Sequence, residues 1–294
     1  MHEFAQDRRH VLLALAGALV SGGCALADAG PTANADSKQL LAAIGKHSVV
    51  LLGEVHDNAA QHAMREQALR RWLEGGARPA LLMEQFDRER QADLDRALAR
   101  PDVTADAVIA AAGAPSTRPG QGWRWALYRP YIALAIEYRL PIIAANVSRA
   151  DTRRVVSEGL QALGFDPNVP PDIAEAQASD IVDSHCGQLD AADARRIVAA
   201  QVARDQFMAR MIERAAPNAA VLLAGNGHVR SDVGVPRWLT PATRRRSIAI
   251  GLLEVGTSDD AMHFDAVLRT PEQPRADPCE AMRGAPASAA SGSR

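Results

Sequence analysis

Aromatic side chains are scarce: five Phe, four Trp and three Tyr supply 4% of 294 residues, so each ring is more informative than usual. An excess of one charge is also missing. The formal net charge is -2, which excludes nucleic acid as the default partner. The apolar run from Val11 to Val20 is too short for a membrane-spanning helix. Only three cysteines occur, Cys24, Cys186 and Cys279. What is plentiful is core material: 47% of the residues are hydrophobic, enough for one large α/β domain or one such domain with a helical insertion.

The N-terminus has the features of an export leader. Arg8-Arg9 precede the apolar run, and Ala25-Leu26-Ala27 forms a small-x-small cleavage signal, so residues 1–27 are expected to be a signal peptide. The paired arginines fit a twin-arginine variant. Cys24 offers a lipoprotein anchor instead, although Ser21 stands where lipoprotein signals carry an aliphatic residue. Both routes lead to a periplasmic protein, free or lipid-anchored through Cys24. Cys186 and Cys279 then lie in a disulfide-permissive compartment, and a bridge between them is expected, with two buried free thiols as the alternative. From Thr270 to Arg294 the chain is rich in Pro, Ala, Gly and Ser and is expected to be a largely disordered tail.

The chain is organised around SVVLLGEVHDN, Ser48 to Asn58. A short all-apolar run that ends at Gly53 predicts a strand buried on both faces, as in a parallel sheet. Glu54 and His56 follow immediately, where ligands bind in open α/β sheets. Further strands are predicted at Pro79–Met83, Leu140–Ala145, Ala219–Ala224 and Ser247–Leu253, ending in Glu84, Asn146, the GNGHVR run with Asn226, His228 and Arg230, and Glu254. Met262–Leu268 is predicted as an antiparallel edge strand. A helix is predicted over Asn58–Glu74, and residues from about 150 to 215 read as a helical insertion or smaller subdomain. The expected fold is α/β, a mostly parallel sheet flanked by helices.

Glu54, His56, Glu84 and His228 form the principal candidate site. Two carboxylates and two imidazoles suffice to hold a divalent metal with open positions, or to act as general acid and base in hydrolysis. Alternatively, such groups cap strand-end and helix amides. His62 and His185, taken singly, are ordinary helix histidines. The segment Trp123 to Leu140 carries two Trp and all three Tyr. Its apolar stripe predicts a helix packed on the sheet. It also offers a phenol able to bind ferric iron, with Arg124 or Arg129 placed to stabilise a phenolate or pair with a haem propionate.

Taken in order, LLGEVHDN, LLMEQF, the W-x-x-Y-x-P run of Trp125 to Pro130, IIAAN, HCG at His185 to Gly187, AGNGHVR and GVPRWL resemble the ChaN-type haem-binding uptake proteins. That family shares a superfamily with Tiki/TraB proteases and erythromycin esterases. The likeness runs from about Ser37 to Leu268. It implies an exported haem-binding protein of iron acquisition, and a homodimer able to hold two haems face to face, each ligated by tyrosine. It also implies a haem receptor or transporter of the outer membrane as partner. Tyr128 matches the motif tyrosine and is the implied ligand, with Tyr131 second. A metal-dependent esterase or peptidase that uses the Glu/His cluster is the alternative function.

Overall fold

The computed structural model describes residues 31–113, 122–257, 260–277 and 279–280. The expected leader with Cys24 and the last fourteen residues of the tail lie outside that set, as does part of the Gly/Pro-rich loop before Trp123. In chain order the main elements are α1 (Pro31–Ile44), β1 (Val49–Leu52), α2 (Ala59–Glu74), β2 (Ala80–Asp87), α3 (Gln91–Leu98), α4 (Ala105–Ala111) and α5 (Trp125–Glu137). There follow β3 (Ile142–Asn146), α6 (Arg149–Glu158), α7 (Pro171–Ser184), α8 (Ala191–Ala215) and β4 (Ala220–Leu223). The chain closes with α9 (Asn226–Val229), α10 (Pro241–Arg244), β5 (Ser247–Glu254) and β6 (Ala266–Thr270). No described helix is long and apolar enough to cross a membrane.

The strands form one sheet in the order β3-β2-β4-β1-β5-β6. Every pairing is parallel. β1 and β4 are buried along their whole length because helices cover both faces. On one face α1, α2 and α5 bring Leu40, Leu69 and Ile132 to a core that includes Val50 and Leu52. On the other, α6, α7 and α8 pack Val155, Ile181, Val198 and Val202 against Val49, Leu51 and Leu222. Helices α6 to α8 form the helical layer on that face of the sheet.

Local signals explain the elements that frame the site. Asn58 accepts the Gln61 backbone N–H at 3.0 Å, which starts α2. Gly76, at φ +96°, takes the chain out of that helix in a conformation costly for any residue with a Cβ. β1 lies between β4 and β5, with Val49 opposite both Ala220 and Ser247. The chain runs from β1 outward to β2 and β3 and later returns to β5 on the other side, so the order reverses beside β1 and a crevice opens at the carboxyl ends of the central strands.

One expectation is corrected. The edge strand is parallel: β6 pairs Ile250 with Ala266 and Glu254 with Thr270. Eleven residues, 255–265, separate the two strands, enough chain to return to the start of β5, and a five-residue hydrophobic pattern carries no information on direction. At the start of the tail the Pro271 carbonyl accepts from Asn58, and Gln273 and Arg275 donate to Glu254 at the end of β5.

Candidate functional site

Glu54 leaves β1 through Gly53, where a side chain would collide with Asn226 and the Ile250 carbonyl. Glu54 turns inward and is 2% exposed. Its Oε1 accepts the Tyr128 hydroxyl at 2.5 Å and lies 2.8 Å from His56 Nδ1, while its Oε2 pairs with the guanidinium of Arg65. Arg65 is wholly buried and also donates to the carbonyls of Leu52 and Gly53 and, through Nε, to the Tyr131 hydroxyl. Burial alone would push the Glu54 carboxyl up, but Arg65 and the His56 hydrogen bond outweigh it and hold the carboxyl at about 2. An ionised carboxylate only accepts, so His56 Nδ1 carries the proton and donates.

His56 is held by this pair, yet its side chain is 47% exposed. Its ring packs on Gly225, where an added Cβ would come within 2.9 Å of Cε1 and 3.0 Å of Nε2. Trp123 meets the ring edge-on at 4.9 Å. Burial works against the imidazolium, but the Glu54 hydrogen bond and the charge of Glu84 win and raise its pKa. Behind it, His62 is buried, with Nε2 3.1 Å from the His56 carbonyl and Nδ1 3.1 Å from the Tyr131 hydroxyl. Desolvation and then Arg65 depress His62 to about 4, so it is neutral at pH 7.

A second imidazole faces the same space. His228, on the short helix α9, places Nδ1 2.6 Å from Asp205 Oδ1 of α8 and Nε2 3.6 Å from Glu84 Oε1. Glu84 Oε2 accepts the Gly225 backbone N–H at 2.8 Å. Asp205 is 1% exposed and takes a further hydrogen bond from Gln177. Burial disfavours the charged forms of both partners, raising Asp205; for His228 the charges of Asp205 and Glu84 overcome it and raise the pKa. Two carboxylate-held imidazoles thus flank a cleft of about 450 Å³, whose lining includes Val55, Gln177, Ile181, Asn226 and Val233. Such imidazoles can exchange protons or donate a nitrogen lone pair.

The expected four-residue cluster is therefore assembled, at the expected strand ends. Its use as a divalent-metal centre does not follow, because Glu54 is committed to Arg65, Tyr128 and His56. Among the described residues no group of three or more His, Cys, Asp or Glu is placed to hold a metal. Tyr128 adjoins the cluster from behind: it is fully buried, its hydroxyl is spent on Glu54, and it does not line the cleft. Burial and the neighbouring carboxylate push its pKa up. Tyr131 is equally buried, bonded to the His62 carbonyl and Arg65.

Other expected cleft residues disperse. Arg129 pairs with Asp106 on the exposed surface of α4 and α5, and Arg124 is an exposed residue preceding α5. Neither lines the cleft. Asn146 ends the edge strand β3 and accepts its neighbour Val147 N–H at 2.9 Å. Asn226 does line the cleft and clamps Leu252 through both its amide groups. Arg230 ties Asp232 to Asp180 of α7. Glu254 accepts from Asn58 and Arg275 and anchors the tail, with its carboxyl drawn down to about 2 chiefly by the Arg275 hydrogen bond. Cys186 and Cys279 form a disulfide. Arg65, His62 and Asp205 are the functional neighbours that sequence reasoning missed; the α2 spacing of Gln61, His62, Arg65, Ala68 and Leu69 marks one buried face with a polar head.

Comparison with known proteins adds the following. The family model described as haem-binding uptake, Tiki superfamily, ChaN matches residues 40–239. Among solved structures, a ChaN of Campylobacter jejuni, described as binding haem cofacially, aligns with a TM-score of 0.64 and 19% identity, over 78% of this chain and 90% of that one. An erythromycin esterase mutant in its open conformation aligns with a TM-score of 0.46 and 13% identity, over 74% of this chain and 73% of that one. No curated protein matches the sequence.

Proposed function

Because the chain belongs to the ChaN family of haem-binding uptake proteins in the Tiki superfamily, we propose that it is an exported protein that binds ferric haem in the cleft beside His56 and serves iron acquisition. The single observation that carries the location is the exposed His56 imidazole: Nδ1 is fixed on an ionised carboxylate, and among the described residues Nε2 has no hydrogen-bond partner. The donor set fits. A carboxylate behind a histidine raises its basicity as a metal ligand and fixes its tautomer. Val55, Ile181 and Val233 supply apolar contact, Trp123 packs on the His56 ring, and the volume lies in the range of small-molecule sites. Haem, when bound, would supply an iron able to take a nitrogen donor and a broad apolar surface.

The tyrosine ligation implied by the family likeness asks more of this chain. Tyr128 would have to leave Glu54, lose its proton and reach the cleft, all against the burial that keeps the phenol neutral. In this reading His56 meets the iron and Tyr128 sets the position of Glu54. A homodimer with two haems face to face, and an outer-membrane haem receptor or transporter as partner, rest on the family likeness alone. Export rests on the leader sequence. Hemin titration of the mature protein tests the reading: a saturable Soret change is expected, largely lost in His56→Ala and largely kept in Tyr128→Phe. The reverse pattern returns the iron to the phenol, and no saturable change in the wild type removes the haem assignment.

A further inference from the structure

The C-terminal segment bonds to residues that adjoin both walls of the cleft. On one side Arg275 donates to Asp57 at 2.8 Å and to both oxygens of Glu254 at 2.8 Å. Asp57 directly follows His56, and Asn58 in the same turn donates to the Pro271 carbonyl at 2.9 Å. On the other side Cys279 is joined to Cys186, two residues beyond Ser184. Ser184, Ile181, Asp180 and Gln177 are the cleft-lining residues of α7. The segment therefore runs from the loop that carries His56 to the end of the helix that forms the opposite wall.

Its length limits how far those walls can part. Four residue steps from Arg275 to Cys279 span at most about 14 Å. The Cα atoms of the two cysteines are 5.6 Å apart. While the bridge is intact, the end of α7 thus stays within about 20 Å of the Arg275 anchor. Within the chain, by contrast, the two cysteines are 93 residues apart.

We propose that the C-terminal segment beginning at Pro271 is a strap joining the two walls of the cleft, and that the Cys186–Cys279 disulfide is its redox-operated buckle, limiting how far α7 swings from the His56 loop. The proposal regulates the same cleft and rests on its reading as a ligand site. Release requires a dithiol reductant. One of its thiolates attacks a disulfide sulfur and the Sγ–Sγ bond breaks; the second thiolate resolves the mixed disulfide. Two electrons and two protons pass to the protein, leaving Cys186 and Cys279 as thiols and the reductant as a disulfide. In an oxidising compartment the strap is closed, and α7 and the His56 loop hold one spacing.

The test compares the full mature chain, oxidised and after reduction with dithiothreitol, together with Cys279→Ser. Backbone hydrogen exchange is read in α7 over Gln177–Ser184 and, as internal reference, in the core of α8 around Val202 and Met208. Release is expected to speed exchange in α7 by about tenfold while α8 stays unchanged. Hemin dissociation, measured by transfer to an excess of apo-myoglobin, should quicken by about threefold or more in the reduced and variant proteins. Unchanged exchange in α7 overturns the proposal. So does equal acceleration in α7 and α8, which would mark the bridge as a brace for global stability only. If hemin fails to bind at all, the haem assignment falls while the exchange comparison still decides the strap.

Discussion

Replacing Arg65 with Met keeps most of the side-chain volume and removes the charge that Glu54 was folded against. Three effects accumulate. The carboxylate is left buried at 2% exposure without its cation, the carbonyls of Leu52 and Gly53 lose a donor, and the Tyr131 hydroxyl loses another. Breaking a buried ion pair by removing one partner costs about 3–5 kcal/mol. The depressed carboxyl leads to a similar figure: a fall from 4.5 to about 2 corresponds to about 3 kcal/mol of stabilisation. The sign with pH follows. In the wild type this contribution is complete above the unfolded-state value of 4.5 and is lost as pH falls toward about 2. In Arg65→Met the buried carboxyl titrates upward instead, so the variant's deficit should shrink as the pH is lowered from 8 to 5. Urea unfolding at several pH values measures both terms, and Glu54→Gln combined with Arg65→Met should recover much of the loss. A deficit below about 1 kcal/mol, or one independent of pH, refutes the claim that this pair organises the site.

Gly225→Ala should push the His56 ring from its place, because the new methyl would lie 2.9 Å from Cε1; hemin affinity is expected to drop by about tenfold with the fold retained by circular dichroism. Asp205→Asn removes the negative charge that lifts His228, so the His228 titration followed by NMR should move to lower pH; no movement would show that the 2.6 Å contact is electrically inert. Tyr128→Phe deletes one hydrogen bond to a charged acceptor, and its expected cost is about 1.5–3 kcal/mol in urea unfolding.

The floor of the cleft was legible because its signals are local. A buried strand, a glycine and two polar residues in a row locate Glu54 and His56, and the GNGH turn locates His228 in the same way. Strand direction at the edge was not legible, since β6 shows only five residues and its partner is decided by how the chain between residues 255 and 265 returns. Arg65 and His62 were hidden for another reason. Each sits on a helix among polar neighbours and looks solvated until a carboxylate from another element approaches it. Tyr128 shows the converse. Its position in the motif was recognisable, but the sequence could not reveal that its hydroxyl points at Glu54 and is sealed from the cleft.

The placement of β1 also bears on how the molecule is made. Its two neighbours, β4 and β5, begin at Ala220 and Ser247, whereas β1 itself ends at Leu52. As the polypeptide leaves the ribosome, the central strand must wait for some 170 residues before either flank can pair with it, and such distant pairings form slowly. Until then VVLL is an unpaired apolar segment of the nascent chain, and holding it from aggregation is a task for whatever escorts the unfinished protein.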